Sequence, residues 1–365
     1  MKDENRQNNI LIAIAVLFGG IVVIWGSFMS FLPGLLFMFF SHPNPIEIAA
    51  SARTATPIPF ITHTPIKIND FNLKSIWSIN DVNVSDRGTI MLGADQEKTC
   101  YIGHFGKELE PSRESLICIN SNNGLVLWQL EMVKFAESLS VTSNGIFFPY
   151  SKEGVIKLDI QNGDFVWQKH LDCCFIHSFY VLDDQIQTSD DHNFWILNMD
   201  GGVIKKTGDN HIKVIQPDMT FKIWDGLEAF KTVTDELLWT QPEIYTRYPL
   251  IFTKTKGEIF LKSQNTTAIA LNRETGKTLW ESSPVIGNIV YSSFTNRVYA
   301  LLESGDLIAY DGDSGKATTM VSFSSVPFLV FGDGISSYQM AYDQKEHVLS
   351  IAIGDSKQLF GFKEK

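Results

Sequence analysis

The chain has 365 residues, of which 44% are hydrophobic and 19% charged, the balance of a folded globular protein with enough chain to bury a large core. A formal net charge of −11 and no lysine- or arginine-rich run exclude nucleic acid as the main partner, because phosphate binding needs a basic surface. Four cysteines, Cys100, Cys118, Cys173 and Cys174, are too few for a disulfide-stapled scaffold, and no pair has zinc-ribbon spacing.

Residues 1–9 form a short polar tail. Residues 10–40 then read ILIAIAVLFGGIVVIWGSFMSFLPGLLFMFF without a charge. A helix needs roughly 20 apolar residues to cross the hydrocarbon core, and a signal-peptide core has only about 7–15, so this stretch is expected to be one transmembrane anchor. Pro33 and Gly34 are placed to end the helix. Lys2 and Arg6 precede it and only Arg53 follows closely, which predicts a cytoplasmic N-terminus and an extracytoplasmic body. A leader cleaved at the small residues 49–52 is the alternative. Residues 41–70, with Pro43, Pro45, Pro57, Pro59 and Pro65, predict an extended spacer.

From residue 71 to 365 there is no sustained helical period. Short alternating apolar runs, cut by Asn, Asp and Gly turns every 8–12 residues, predict an all-β domain. Within it a phrase recurs. Leu116–Trp128 reads LICINSNNGLVLW, Val155–Trp167 reads VIKLDIQNGDFVW, Leu227–Trp239 reads LEAFKTVTDELLW, and Ala268–Trp280 reads AIALNRETGKTLW. Leu307–Thr319 (LIAYDGDSGKATT) keeps the turn without the tryptophan. Phe194–Lys206 (FWILNMDGGVIKK) turns one residue early and also lacks it. The copies end at 128, 167, 206, 239, 280 and 319, steps of 39, 39, 33, 41 and 39. A period near 40 is that of a four-stranded propeller blade.

Each phrase is a strand, a tight turn and a returning outer strand. Gly124, Gly163, Gly276 and Gly315 supply a positive φ in the turn, and Asp235 takes that place in one copy. Trp128, Trp167, Trp239 and Trp280 end the outer strands, with apolar area to wedge against the next blade. Near the start, FNLKSIWSI looks like one more outer strand with Trp77 in the tryptophan slot. The C-terminal stretch 326–362 stops where such a strand is due. The expected fold is therefore a β-propeller of seven four-stranded blades, eight being the fallback, closed by pairing N- and C-terminal strands.

These phrases resemble the PQQ-like β-propeller repeat. The resemblance covers about residues 71–365 and speaks to fold far more than to function. That family includes quinoprotein dehydrogenases as well as non-catalytic propellers, among them the lipoprotein subunit of the bacterial outer-membrane β-barrel assembly machinery. The quinoprotein enzymes carry adjacent cysteines beside their cofactor, but the residues after Cys173–Cys174 here depart from that pattern at once, so the resemblance implies no cofactor.

The remaining candidate chemistry is thin. His170, Cys173, Cys174 and His177 would share one face of a helix and reach one soft metal, but on the expected strand they point alternately, so no metal site is expected there. Asp311-Gly-Asp313-Ser-Gly315 lacks the glycine and glutamate of a calcium loop and reads as a repeat turn. Asp183–Asp184 and Asp190–His192 read as solvated acidic turns. Cys100 and Cys118 can face each other across a hairpin and form a disulfide outside the cell. No catalytic motif is present. The sequence points to a membrane-anchored, non-catalytic scaffold or protein-interaction module at the cell envelope, with partner contacts expected between Thr99 and Glu114 and between Trp195 and Trp224. A PQQ-dependent oxidoreductase-like propeller and a sensor for a small ligand or glycan in the funnel are the alternatives.

Overall fold

The computed structural model describes residues 67–68, 73–80, 82–83, 91–105, 114–132, 138–150, 154–171, 176, 178–182, 184–190, 192–208, 212–223, 226–246, 249–253, 257–263, 267–302, 304–323, 338–353 and 358–365. The expected anchor over 10–40 and nearly all of the expected spacer lie outside them, and among the described residues no helix is long and apolar enough to cross a membrane.

Every regular element among the described residues is a strand, and the strands fall into six antiparallel sheets. Sheet 1 holds Met91–Asp95, Lys98–Phe105, Glu114–Asn120 and Val126–Met132, with Val82–Asn83 added beside the second strand. Sheet 2 holds Ser140–Thr142, Gly145–Pro149, Gly154–Leu158 and Phe165–His170. Sheet 3 holds Ser178–Val181, Gln185–Ser189, Phe194–Asn198 and Val203–Thr207. Sheet 4 holds Ile212–Ile215, Met219–Ile223, Leu227–Lys231 and Leu237–Gln241.

Sheet 5 has eight strands: seven form two four-stranded halves that share one strand, and Lys67–Ile68 adds an eighth at the far edge. Its first half is Ile251–Phe252, Glu258–Lys262, Thr267–Asn272 and the start of Thr278–Ser292. The end of that same strand opens the second half, followed by Arg297–Leu302, Asp306–Asp311 and Ala317–Ser322. The handover comes at a break in register between Ile286 and Val290, where Gly287 has φ +65°. Sheet 6 holds Tyr338–Asp343, Val348–Ile353, Gln358–Glu364 and, as its outer strand, Leu73–Ile79. Leu73 pairs with Glu364 and Ile79 with Leu359, so the N-terminal strand completes the C-terminal sheet as the sequence predicted.

Burial follows the alternation of each strand. Ile259 and Leu261 face one way, packing with Val214, Phe221 and Ile223 of sheet 4. Phe260 faces the other way, with Ala300, Ile308 and Tyr310 of the second half of sheet 5. Both faces of a sheet are thus apolar, and each face is covered by a neighbouring sheet. The same relation joins sheets 2 and 3 through Phe147, Val155, Ile186 and Leu197. It joins the second half of sheet 5 to sheet 6 through Tyr299, Leu301, Met340 and Ile351. Trp77 and Leu359 of sheet 6 pack with Tyr101 and Ile117 of sheet 1, so the last sheet lies on the first. Sheets packed in cyclic succession, each hiding a face it could not hide alone, make a β-propeller.

Candidate functional site

The repeat residues come together at the seams between sheets. Each indole leaves its outer strand and lies on the turn of the next sheet, donating its Nε1 proton to a carbonyl there. Trp77 donates to Ser121 O at 2.6 Å, Trp128 to Ile160 O at 3.4 Å, and Trp167 to Met199 O at 3.0 Å. Trp239 donates to Arg273 O at 2.9 Å and Trp280 to Gly312 O at 2.8 Å. The repeat glycine of the receiving turn sits against the ring. Gly276 has φ +68°, and a Cβ there would meet Trp239 Cδ2 at 2.5 Å; Gly315, at +66°, would meet Trp280 Cγ at 2.5 Å. Gly124 and Gly163 stand in the same relation to Trp77 and Trp128. Glycine is needed twice over, for the left-handed backbone and for the close approach of the ring.

Gly201 completes the set: its turn is one residue shorter, yet its φ of +79° and its contact with Trp167 are those of the others. Small residues stand opposite four of the five rings in strand register, and Lys157 stands opposite Trp167. Gly361 pairs with Trp77, Cys118 with Trp128, Ala229 with Trp239 and Ala270 with Trp280.

Two seams lack the tryptophan, and each has a substitute that the sequence does not reveal. Between sheets 3 and 4, Lys205, four residues after Gly201, stands in the tryptophan position and Asp235, at φ +52°, in that of the glycine. With no ring to receive, the turn tolerates a Cβ. Here the buried Gln187 side chain pairs with the main chain of sheet 4, donating Nε2 to Ile215 O at 2.6 Å and accepting from Ile215 N at 2.7 Å. Between the second half of sheet 5 and sheet 6, Thr319 holds the tryptophan position, and Asn288 repeats the device on Met340, donating to its O and accepting from its N at 2.7 Å each. A primary amide matches a main-chain N–H and C=O pair, so both seams exchange an aromatic wedge for a two-point hydrogen bond.

The Asn288 seam carries a second lock. Glu364, 4% exposed, accepts from Ser292 Oγ at 2.7 Å, from Thr295 Oγ1 at 2.6 Å, and from the Tyr299 and Tyr342 hydroxyls. Burial, and then the Glu364 carboxylate, push both phenols far above the usual tyrosine range, so they remain donors at every physiological pH. A buried carboxylate ringed by four hydroxyls is fully satisfied and serves to join sheets.

The other polar candidates are also spent on structure. Cys100 and Cys118 are cross-strand partners in sheet 1 and form a disulfide. Asp311 Oδ1 accepts from Ser314 N and Oγ within its own turn. Asp190, expected to be solvated, is 2% exposed because its carboxylate caps its own turn, accepting from His192 N and Asn193 N. His170 ends an outer strand, exposed, while Cys173, Cys174 and His177 lie outside the described residues. Among the described residues no group of three or more His, Cys, Asp or Glu is placed to hold a metal ion. Thr99 and Trp195, the first residues of the two stretches expected to meet partners, are buried on strands.

The outer strands also expose apolar side chains. Leu125 and Leu127, Phe165 and Val166, Val203 and Ile204, Leu237 and Leu238, and Leu279 are all exposed at outer strands of successive sheets. Such a belt suits protein contact.

The comparisons with known proteins agree with this picture. The family model described as outer membrane protein assembly factor BamB matches residues 223–328, a stretch that holds the Trp239–Gly276 and Trp280–Gly315 locks. The solved BamB of Moraxella catarrhalis superimposes with a TM-score of 0.50 at 13% identity, covering 80% of this chain and 98% of its own. A chain of a mitotic checkpoint complex superimposes with a TM-score of 0.61 at 9% identity, covering 85% of this chain and 99% of its own. At these identities the likeness concerns fold. A search of curated proteins gives no match. The chain is thus a β-propeller that resembles BamB, with the match to the PQQ-like repeat model lying over residues 223–328.

Proposed function

We propose that this protein is a membrane-anchored, non-catalytic propeller of seven blades that acts as a protein-interaction or scaffolding module at the cell envelope. Sheets 1 to 4, the two halves of sheet 5 and sheet 6 are read as the seven blades. The observation that carries the reading is how the polar side chains are spent. Indoles, amides and the Glu364 cage join sheet to sheet, and the outer strands expose apolar side chains. A propeller so stapled is a rigid platform, and rigid platforms with apolar surface bind proteins at low ordering cost. The fold likeness to BamB, an outer membrane protein assembly factor, supports the same reading.

Residues 1–9, 10–40, 41–70 and 71–365 are then cytoplasmic tail, anchor, spacer and propeller. The Cys100–Cys118 disulfide supports an extracytoplasmic body, since disulfides persist in oxidising compartments. Chemical crosslinking of the full chain in its membrane, followed by affinity capture, tests the proposal. A defined protein neighbour is expected, with the chain in the membrane fraction and its propeller open to external protease. Dye reduction that depends on an added quinone cofactor would overturn the non-catalytic part.

A further inference from the structure

Two outer strands lack the tryptophan, and they have been treated differently. Ala317–Ser322 is paired at its end: Lys67–Ile68 runs antiparallel along the last two residues of its free edge, Lys67 opposite Ser322 and Ile68 opposite Val321. Val203–Thr207 is bare. It ends sheet 3, no described strand pairs with its second edge, and its first four residues are all exposed, Ile204 at 61%. The other described outer strands that begin with exposed residues reach a buried or half-buried tryptophan within four positions.

We propose that the free edge of Val203–Thr207 is a strand-addition site for an extended segment of a partner protein, in which two adjacent acidic residues are flanked by aliphatic ones. This deepens the interaction-module reading and rests on it. An added strand pairs the main-chain groups of the edge and covers Val203 and Ile204, gains that an isolated edge forgoes. The Lys67–Ile68 pairing shows the same operation within this chain, on the other outer strand without a tryptophan.

Lys205 and Lys206 select the occupant. A second copy of this strand, laid antiparallel, sets lysine opposite or diagonal to lysine, which is repulsive. A bilayer offers the edge no hydrogen-bond partners. Acidic residues opposite the two lysines turn repulsion into attraction. Lys206 is already held in place, its Nζ over the Trp195 ring at 5.5 Å from the centroid. The same two charges that keep the edge from pairing with itself thus choose its partner.

The test uses the full chain in detergent and a synthetic peptide with a Glu-Glu pair flanked by valines, titrated to millimolar concentration. Hydrogen exchange at residues 203–207 is followed. Slowed exchange there is expected, with no slowing from a peptide carrying a central proline. The Lys205→Glu/Lys206→Glu variant, exposed and expected to fold, should bind about tenfold more weakly, two cross-strand charge pairs being lost. It should gain affinity for the same peptide with Lys-Lys in place of Glu-Glu, which also shows that it is folded. No slowing at 203–207, or equal slowing in the charge-reversed variant, overturns the proposal. A captured protein partner whose binding ignores the double substitution overturns it too, while leaving the interaction-module reading intact.

Discussion

Gly276→Ala is the sharpest probe of the seam mechanism. The substitution asks two things of the same atom. At φ +68° an L side chain costs about 1–2 kcal/mol over glycine. The new Cβ would also stand 2.5 Å from Trp239 Cδ2, so the ring must shift, an overpacking cost of about 1–3 kcal/mol. Together the expected loss is about 2–5 kcal/mol. A moved indole also lengthens its hydrogen bond to Arg273 O, so tryptophan emission should change along with stability.

The control lies one sheet away. Asp235 has nearly the same backbone conformation, φ +52°, but Lys205 stands where the ring would be. Asp235→Gly should relieve the backbone and lose only an exposed contact to Lys222 at 3.6 Å, a net change within about 1 kcal/mol of zero. Guanidinium unfolding of both variants, followed by circular dichroism and tryptophan fluorescence, gives the two numbers. Equal effects at positions 276 and 235 would refute the claim that the glycine is there for the ring.

Other expectations follow from the same seams. Asn288→Leu leaves the Met340 N–H and C=O without their side-chain partner and should cost about 2–4 kcal/mol in denaturant unfolding, two unsatisfied groups at 1–3 each partly rehydrated. Replacing Cys100 and Cys118 together by alanine opens a link with a sequence separation of 18 and should cost about 2–4 kcal/mol, read by denaturant midpoint against thiol titration. Burial, then the neighbouring Asp343 carboxylate, raise the Asp95 pKa above its ordinary value. The folded state therefore holds this proton more tightly than the unfolded chain, and the group's contribution improves as pH falls through the folded pKa. In Asp343→Asn that gain on acidification should shrink, measured as stability against pH below 6. Burial lowers Lys262 to about 8, so its contribution should rise from pH 8 toward 10 and be absent in Lys262→Met.

The sequence alone determined the repeat, because a glycine turn and a tryptophan strand are local chemistry, and local chemistry recurs at a fixed spacing. Pairing Trp77 with the C-terminal sheet was legible for the same reason: a strand of the right pattern stood where the period demanded one. Tertiary structure alone decided which turn receives which ring, since Trp239 meets Gly276 of the next copy rather than the Asp235 turn of its own. It also decided how the two defective seams are closed. Gln187 and Asn288 sit in strands with no distinguishing pattern, and an amide becomes a staple only when a neighbouring main chain is brought opposite it. Cys100 and Cys118 lie between these cases: hairpin spacing permitted the bond, and the register of the two strands settled it. Periodicity reports what each blade does for itself, whereas contacts between blades depend on side chains that are distant in sequence and meet only in the folded chain.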